Sequence, residues 1–235
     1  MNKAISIIFT VILVVALPIA IVLTSVQLVA FNEDFFMEEF EKYNRAEATG
    51  MDRDQLGKVV QAFIDYLSME KDELNMQVVV NGRERPLFND KELMHMDDVR
   101  GLFEGGFALR LWAVILSAIS IAAIGLWGNR KGIDGIARAL AWASGVSLAL
   151  GATVALLLAT DFDRWFVYFH LTFFNNDLWQ LDPSTDMLIN IFNEGFFADA
   201  AFRILIYAFG TMAIILAASM ALIVYRNKKV PKNQR

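Results

Sequence analysis

The 235-residue sequence predicts an all-α membrane protein: four transmembrane helices, a small and mostly helical extracytoplasmic domain between spans 1 and 2, and an aromatic-rich interfacial segment between spans 3 and 4. Three observations carry that expectation. Four apolar runs reach the roughly 20 residues that a helix needs to cross a bilayer. Of 26 acidic residues, all but Asp134 fall in two segments, 31–106 and 161–202, which alternate with those runs. The basic residues outside the two segments cluster at the opposite ends of the runs.

The first run, 4–30, follows Lys3 and is too long for a signal-peptide core. No small-residue cleavage pattern follows it, so it reads as an uncleaved span with Pro18 inside. Segment 31–106 holds 18 acidic and 9 basic residues. Phe35, Phe36, Phe40 and Tyr43 recur at helical spacing over 32–48. Asp52 is placed to cap a second helix over 55–69. Asn81-Gly82 between 78–80 and 83–87 is a two-residue hairpin signal. Asn89 or Asp90 can cap a third helix over 91–103, which carries His95.

The second span is expected over 107–128, with Arg110 able to snorkel from its outer end, and a short turn at 129–134 carries Arg130 and Lys131. The third span, 135–160, is rich in Ala, Gly and Ser. Small residues let backbones approach closely, so this span is expected to be the most central. Segment 161–202 has 7 acidic and 1 basic residue and twelve aromatics, too apolar for a free loop. Such a segment belongs at headgroup level, and Asp182-Pro183 is expected to start a helix there. The fourth span is 203–225, followed by a basic tail at 226–235. Short basic loops stay cytoplasmic, which puts both termini inside and both acidic segments outside; Trp112, Trp127, Trp165 and Tyr225 fall near the interfaces.

The acidic outer segments would repel phosphate, so no nucleic-acid partner is expected. The absence of cysteine removes disulfides, thiolate metal sites and a thiol nucleophile. No Gly-x-Ser-x-Gly elbow or His-Glu-x-x-His motif is present. What remains is a pair of imidazoles. The only two histidines, His95 and His170, lie one in each acidic segment and therefore on one side of the membrane. Two histidines suit acyl transfer: one accepts the nucleophile's proton, and the other polarises the carbonyl or protonates the leaving oxygen. Asp98, three residues after His95 on a helix, is placed to hold one ring nitrogen. Asn175, Asn176 and Asp177 are candidates for the same service to His170.

The runs ELMHMDDV at 92–99, YFHLTFFNNDLWQLDP at 168–183, DMLI at 186–189 and FNEGFF at 192–197 together resemble the lipoprotein intramolecular transacylase family of Gram-positive bacteria, four-span membrane proteins of about this length. Asn193-Glu194 departs from the Pro-Glu expected there, a difference at a helix start. The resemblance implies an enzyme that moves the sn-2 acyl chain of a lipoprotein's S-diacylglyceryl-cysteine onto the cysteine α-amine. It implies His95 and His170 as the essential pair; Asp98, Asn176, Asp177, Tyr168 and Trp179 are expected in support. The expected partners are diacylglyceryl-modified lipoproteins and membrane lipids, the expected state is a monomer, and no cofactor or metal is implied. Two other readings are a membrane sensor whose acidic domain binds a partner, and a bis-histidine haem or metal protein. Haem ligation inside a bundle favours histidines on the spans, where neither of these lies.

Overall fold

The computed structural model describes residues 3–127 and 132–229. In chain order the elements are α1 (Lys3–Ala30), α2 (Glu33–Lys42), α3 (Arg45–Thr49), α4 (Arg53–Leu67), β1 (Gln77–Val80), β2 (Arg83–Pro86), α5 (Asp90–Trp127), α6 (Gly132–Thr160), α7 (Phe162–Phe173), α8 (Met187–Ile191) and α9 (Glu194–Lys229). Helices α1, α5, α6 and α9 are long and apolar enough to cross a membrane. The described residues form two compact units: 3–25, 107–127, 132–156 and 204–229 in the first, Val26–Gly106 and Leu157–Arg203 in the second.

In the first unit Leu13, Ile124 and Ala139 form a buried cluster flanked by Phe9, Leu17, Ile121, Ile136 and Leu140. Arg226 pairs with Asp134, the one acidic residue outside the two acidic segments. Helix α6 is not the most central span. Only 11% of its apolar window is buried, against 28% in α5. Its small residues permit close approach along one face, where a side chain at Gly151 would collide with Phe209. Trp142, Leu150 and Leu156 on other faces stay exposed. The expected basic turn lies partly outside the described residues, as does the end of the tail; Gly132–Asp134, placed in that turn by the sequence, already belong to α6.

The second unit is built from short helices around an aromatic core. Phe36, Phe40, Phe63, Phe192 and Phe196 meet with ring centroids 4.6–6.4 Å apart. A buried Phe contributes roughly 1.5–3 kcal/mol through apolar area removed from water. The expected helix over 32–48 is two helices. Asn44 adopts a left-handed conformation (φ 52°) after Tyr43 caps α2, as Asn often does just past a helix end. Asp52 caps α4, accepting from the Gln55 N–H at 2.9 Å. The hairpin pairs Val80 with Arg83, and Asn81 (φ 50°) and Gly82 (φ 76°) take the positive φ that its turn demands.

Helix α5 starts with a reciprocal cap. Asn89 Oδ1 accepts from the Glu92 N–H at 3.0 Å, and Glu92 Oε2 accepts from the Asn89 N–H at 2.8 Å. The helix does not stop at 103. It runs through Gly105-Gly106 into the span, because about 1 kcal/mol of lost propensity per glycine does not outweigh an unbroken hydrogen-bond ladder. At 38 residues it is about 57 Å long, so only its 107–127 part is needed to cross a bilayer core of about 30 Å. The fourth span likewise starts earlier than expected, at Glu194, where Asn193 Oδ1 accepts from the Phe196 N–H. Asp182-Pro183 forms a turn and not a helix start. The Asp182 carboxylate accepts from the Ser184 N–H at 2.8 Å, closing a local loop that competes with a helix, and α8 begins only at Met187.

Candidate active site

His95 and His170 come from different elements of the second unit and meet there. His95 sits one turn into α5 and His170 near the end of α7; both are 6% exposed. Their ring centroids are 6.1 Å apart, with planes inclined by 34°.

Glu92 positions the first ring. Its side chain is buried, its Oε2 holds the Asn89 N–H, and its Oε1 accepts from the Leu188 N–H at 2.5 Å. The first turn of α5 is thereby tied to α8, three residues before His95. Burial pushes the Glu92 carboxyl pKa up against these bonds. Asp186 secures the same junction, accepting from Asn89 Nδ2 at 2.9 Å and Lys91 Nζ at 3.1 Å. Burial opposes its charge, but the Asp182 N–H together with Asn89, Lys91 and Thr185 outweighs it and holds its pKa down to about 2.

His170 is fixed from within its own helix. Its Nδ1 lies 2.8 Å from the Phe166 carbonyl oxygen, so a neutral ring carries its proton at Nδ1 and its lone pair at Nε2. Trp179 stacks on the ring at 4.8 Å and 27°, and Phe166, Phe169 and Phe174 complete an aromatic surround at 4.3–5.5 Å. Phe174 also sits edge-on to His95 at 5.3 Å. Desolvation lowers both imidazole pKa values. For His95 it is the largest cause, helped by the neighbouring His170 and opposed by Asp98, and the value falls to about 4. For His170 the Phe166 carbonyl partly offsets burial. At neutral pH both rings are uncharged, each offering one N–H and one lone pair.

The remaining sequence candidates divide. Trp179 is in the site, with its indole Nε1 buried and without a hydrogen-bond partner among the described residues. Asp98 and Asn176 border it but hold each other: Asn176 Nδ2 donates to Asp98 Oδ2 at 2.8 Å. Asp98 therefore does not hold His95, whose Nδ1 is buried without a partner among the described residues. Neither Asn175, Asn176 nor Asp177 holds His170, because its own helix supplies the carbonyl. Asp177 caps a turn, accepting from Gln180 Nε2. Tyr168 is 41% exposed and its hydroxyl accepts from Arg164. Missed by sequence reasoning were Glu92 and Phe166. The Asn-x-x-Glu spacing was a capping-box signal for the first, and the i−4 position from His170 a signal for the second.

A four-span helical membrane protein with two neutral, buried histidines in a partly polar, aromatic site is the class these features define. Residues 11–197 match the family described as lipoprotein intramolecular transacylase Lit, and the chain belongs to that family. No match is found among curated protein sequences. The fold is similar to that of the membrane integral lipoprotein intramolecular transacylase Lit from Bacillus cereus, with 19% identity, a TM-score of 0.80, and 97% of this chain and 100% of that one covered. Two structures of the same Bacillus cereus protein, with one histidine replaced by arginine or by alanine, are similar at 18% and 19% identity. Their TM-scores are 0.76 and 0.77, covering 97% of this chain and 96% and 98% of theirs.

Proposed function

We propose that the protein is an intramolecular O-to-N acyltransferase. It moves the sn-2 acyl chain of a lipoprotein's S-diacylglyceryl-cysteine onto that cysteine's α-amine and leaves an N-acylated lyso-form. The observation that carries this reading, beside family membership, is the pair of neutral imidazoles with centroids 6.1 Å apart. Two hydrogen-bond reaches of about 3 Å span that gap, so both rings can serve one reacting carbon.

The roles follow from the tautomer. His170 Nε2, free while Nδ1 is held by Phe166, takes the proton from the attacking amine. His95, the more strongly neutralised ring, donates its N–H to the ester carbonyl as negative charge builds there. An N–C bond forms, the ester C–O bond breaks, and the amine proton passes to the departing sn-2 oxygen. The products are an amide and a free hydroxyl, and no water, oxidant or reductant is consumed. Trp179 supports His170 by presenting its π face to the ring as it gains charge. Amine and ester are tethered in one substrate, and holding them in line contributes roughly 7–11 kcal/mol toward the barrier. The charge pattern of the sequence supports cytoplasmic termini and a site at the outer leaflet, where diacylglyceryl-cysteine enters from the lipid.

The test mixes two diacylglyceryl lipopeptides, one with heavy acyl chains and one with a mass-tagged peptide. Each product should retain its own chain. Heavy acyl on the tagged peptide refutes the intramolecular step.

A further inference from the structure

Beside the histidine pair lies a cavity of about 370 Å³ whose polar lining is Asp98, Thr172, Asn175 and Asn176 and whose apolar lining is Leu171, Phe173 and Phe174. It opens between the elements that carry the two imidazoles: Asp98 lies one turn beyond His95 on α5, and Leu171 and Thr172 directly follow His170. Phe174 is its shared wall, 5.3 Å from one histidine ring and 5.5 Å from the other. The carboxylate in it is deliberately aimed. Asn176 uses both ends of its amide, Nδ2 on Asp98 Oδ2 and Oδ1 on the Leu178 N–H at 3.1 Å, so it holds Asp98 in one orientation. The other oxygen, Asp98 Oδ1, has no hydrogen-bond partner among the described residues. Thr172 donates its hydroxyl proton to the Tyr168 carbonyl at 2.7 Å, which leaves its oxygen lone pairs as acceptors.

We propose that this cavity is the docking site for the substrate's primary α-ammonium, with Asp98 Oδ1 and Thr172 Oγ1 accepting its hydrogen bonds and the Phe174 ring flanking its charge. The proposal rests on the transacylase reading and deepens it. The occupant's chemistry follows from the lining. Leu171, Phe173 and Phe174 give the cavity one apolar side, but an acyl chain buried there would strand its carboxylate, hydroxyl and two amides. A divalent cation wants six or more oxygens and more charge than one carboxylate supplies. An ammonium carries one charge and three donors, which the exposed acceptors and an aromatic face match. Its size suits the amino-terminal end of a peptide. The function of the site is to hold the charged amine one ring away from both imidazoles. There it loses one proton to water; the second leaves during attack to His170 Nε2.

The test measures binding of two non-transferable probes to the full-length protein in nanodiscs at pH 6.5. One is a dialkylglyceryl-cysteine peptide, with ethers replacing both esters, and the other is its des-amino counterpart. The wild type should bind the amine probe about tenfold more tightly, the worth of one charge-assisted hydrogen bond. Asp98→Asn should erase that preference, Asp98→Glu should restore part of it, and the des-amino probe should be indifferent to either change. Equal affinity of the wild type for the two probes overturns the site, as does a preference that survives Asp98→Asn. If Asp98→Asn does not fold, Asp98→Ser carries the same expectation, and the wild-type comparison stands alone. A role for Asp98 solely through its charge on His95 would move the pH profile of transfer and leave the probe ratio unchanged, which also overturns the site. Turnover of the ester substrate by an amine-blind wild type removes the docking site and keeps the transacylase. An amine preference that depends on Asp98, without any N-acyl product, does the reverse.

Discussion

Replacing His95 by Gln isolates the cost of keeping an imidazole neutral inside the second unit. The His95 pKa is lowered to about 4 from an ordinary 6.5, chiefly by burial. The unfolded chain therefore takes up the proton first as pH falls. Stability is full above about pH 6.5 and is lost progressively as pH drops toward the folded-state value. At about 1.36 kcal/mol per pH unit the gap corresponds to roughly 3 kcal/mol. For a chain of this size that is on the order of 10 °C in thermal midpoint. His170 acts in the same direction, since its pKa is also lowered by burial. Glu92 acts in the opposite one: its raised carboxyl binds a proton in the folded state first and gains stability on acidification. The wild-type profile mixes these, so the informative quantity is the difference between wild type and His95→Gln. Thermal unfolding in detergent, followed by intrinsic fluorescence from pH 7.5 to 4.5, should show the wild type losing about 2.5 kcal/mol more than the variant, whatever their offset at neutral pH. Parallel profiles would refute the claim that His95 is held neutral by burial.

Three further outcomes follow from the same geometry. His170→Ala should reduce N-acyl transfer by a factor on the order of 10²–10⁴, read by mass spectrometry of a lipopeptide N-terminus. Glu92→Gln puts an amide N–H₂ against one of the two backbone N–H groups that the carboxylate accepts; it should cost roughly 1–3 kcal/mol in thermal unfolding and slow transfer by loosening the turn that carries His95. Single cysteines at Ser68 and Lys232 should react with an impermeant maleimide on intact cells at Ser68 alone, and labelling at Lys232 alone would reverse the proposed orientation.

Much of the fold was legible because its signals are local. Apolar length marked four spans, Asp52 marked the start of α4, and Asn81-Gly82 marked a hairpin whose two positive φ values only a few residue types accept. The two histidines were legible as a pair from charge segregation alone, before any contact between them was known. Other local signals misled. Gly105-Gly106 looks like a boundary but lies inside α5, and Asp182-Pro183 looks like a helix start but closes a turn. A residue's propensity decides its conformation only where no larger hydrogen-bonded structure competes.

What the amino-acid sequence determined by itself was the alternation of lipid-soluble and acidic segments, and with it which chemistry-bearing residues could share a compartment. The tertiary structure alone decided which partner each of them takes. Asp98 is within helical reach of His95 but is held by Asn176, 78 residues away in sequence. His170 has three polar candidates just downstream but bonds the carbonyl one turn behind it. Helix α6, the richest in small residues, is the least buried of the four spans. Spacing determines what a side chain can reach. Burial and the competition among neighbours for each donor and acceptor determine what it does reach, and in a site this dry that choice decides whether the two imidazoles stay neutral.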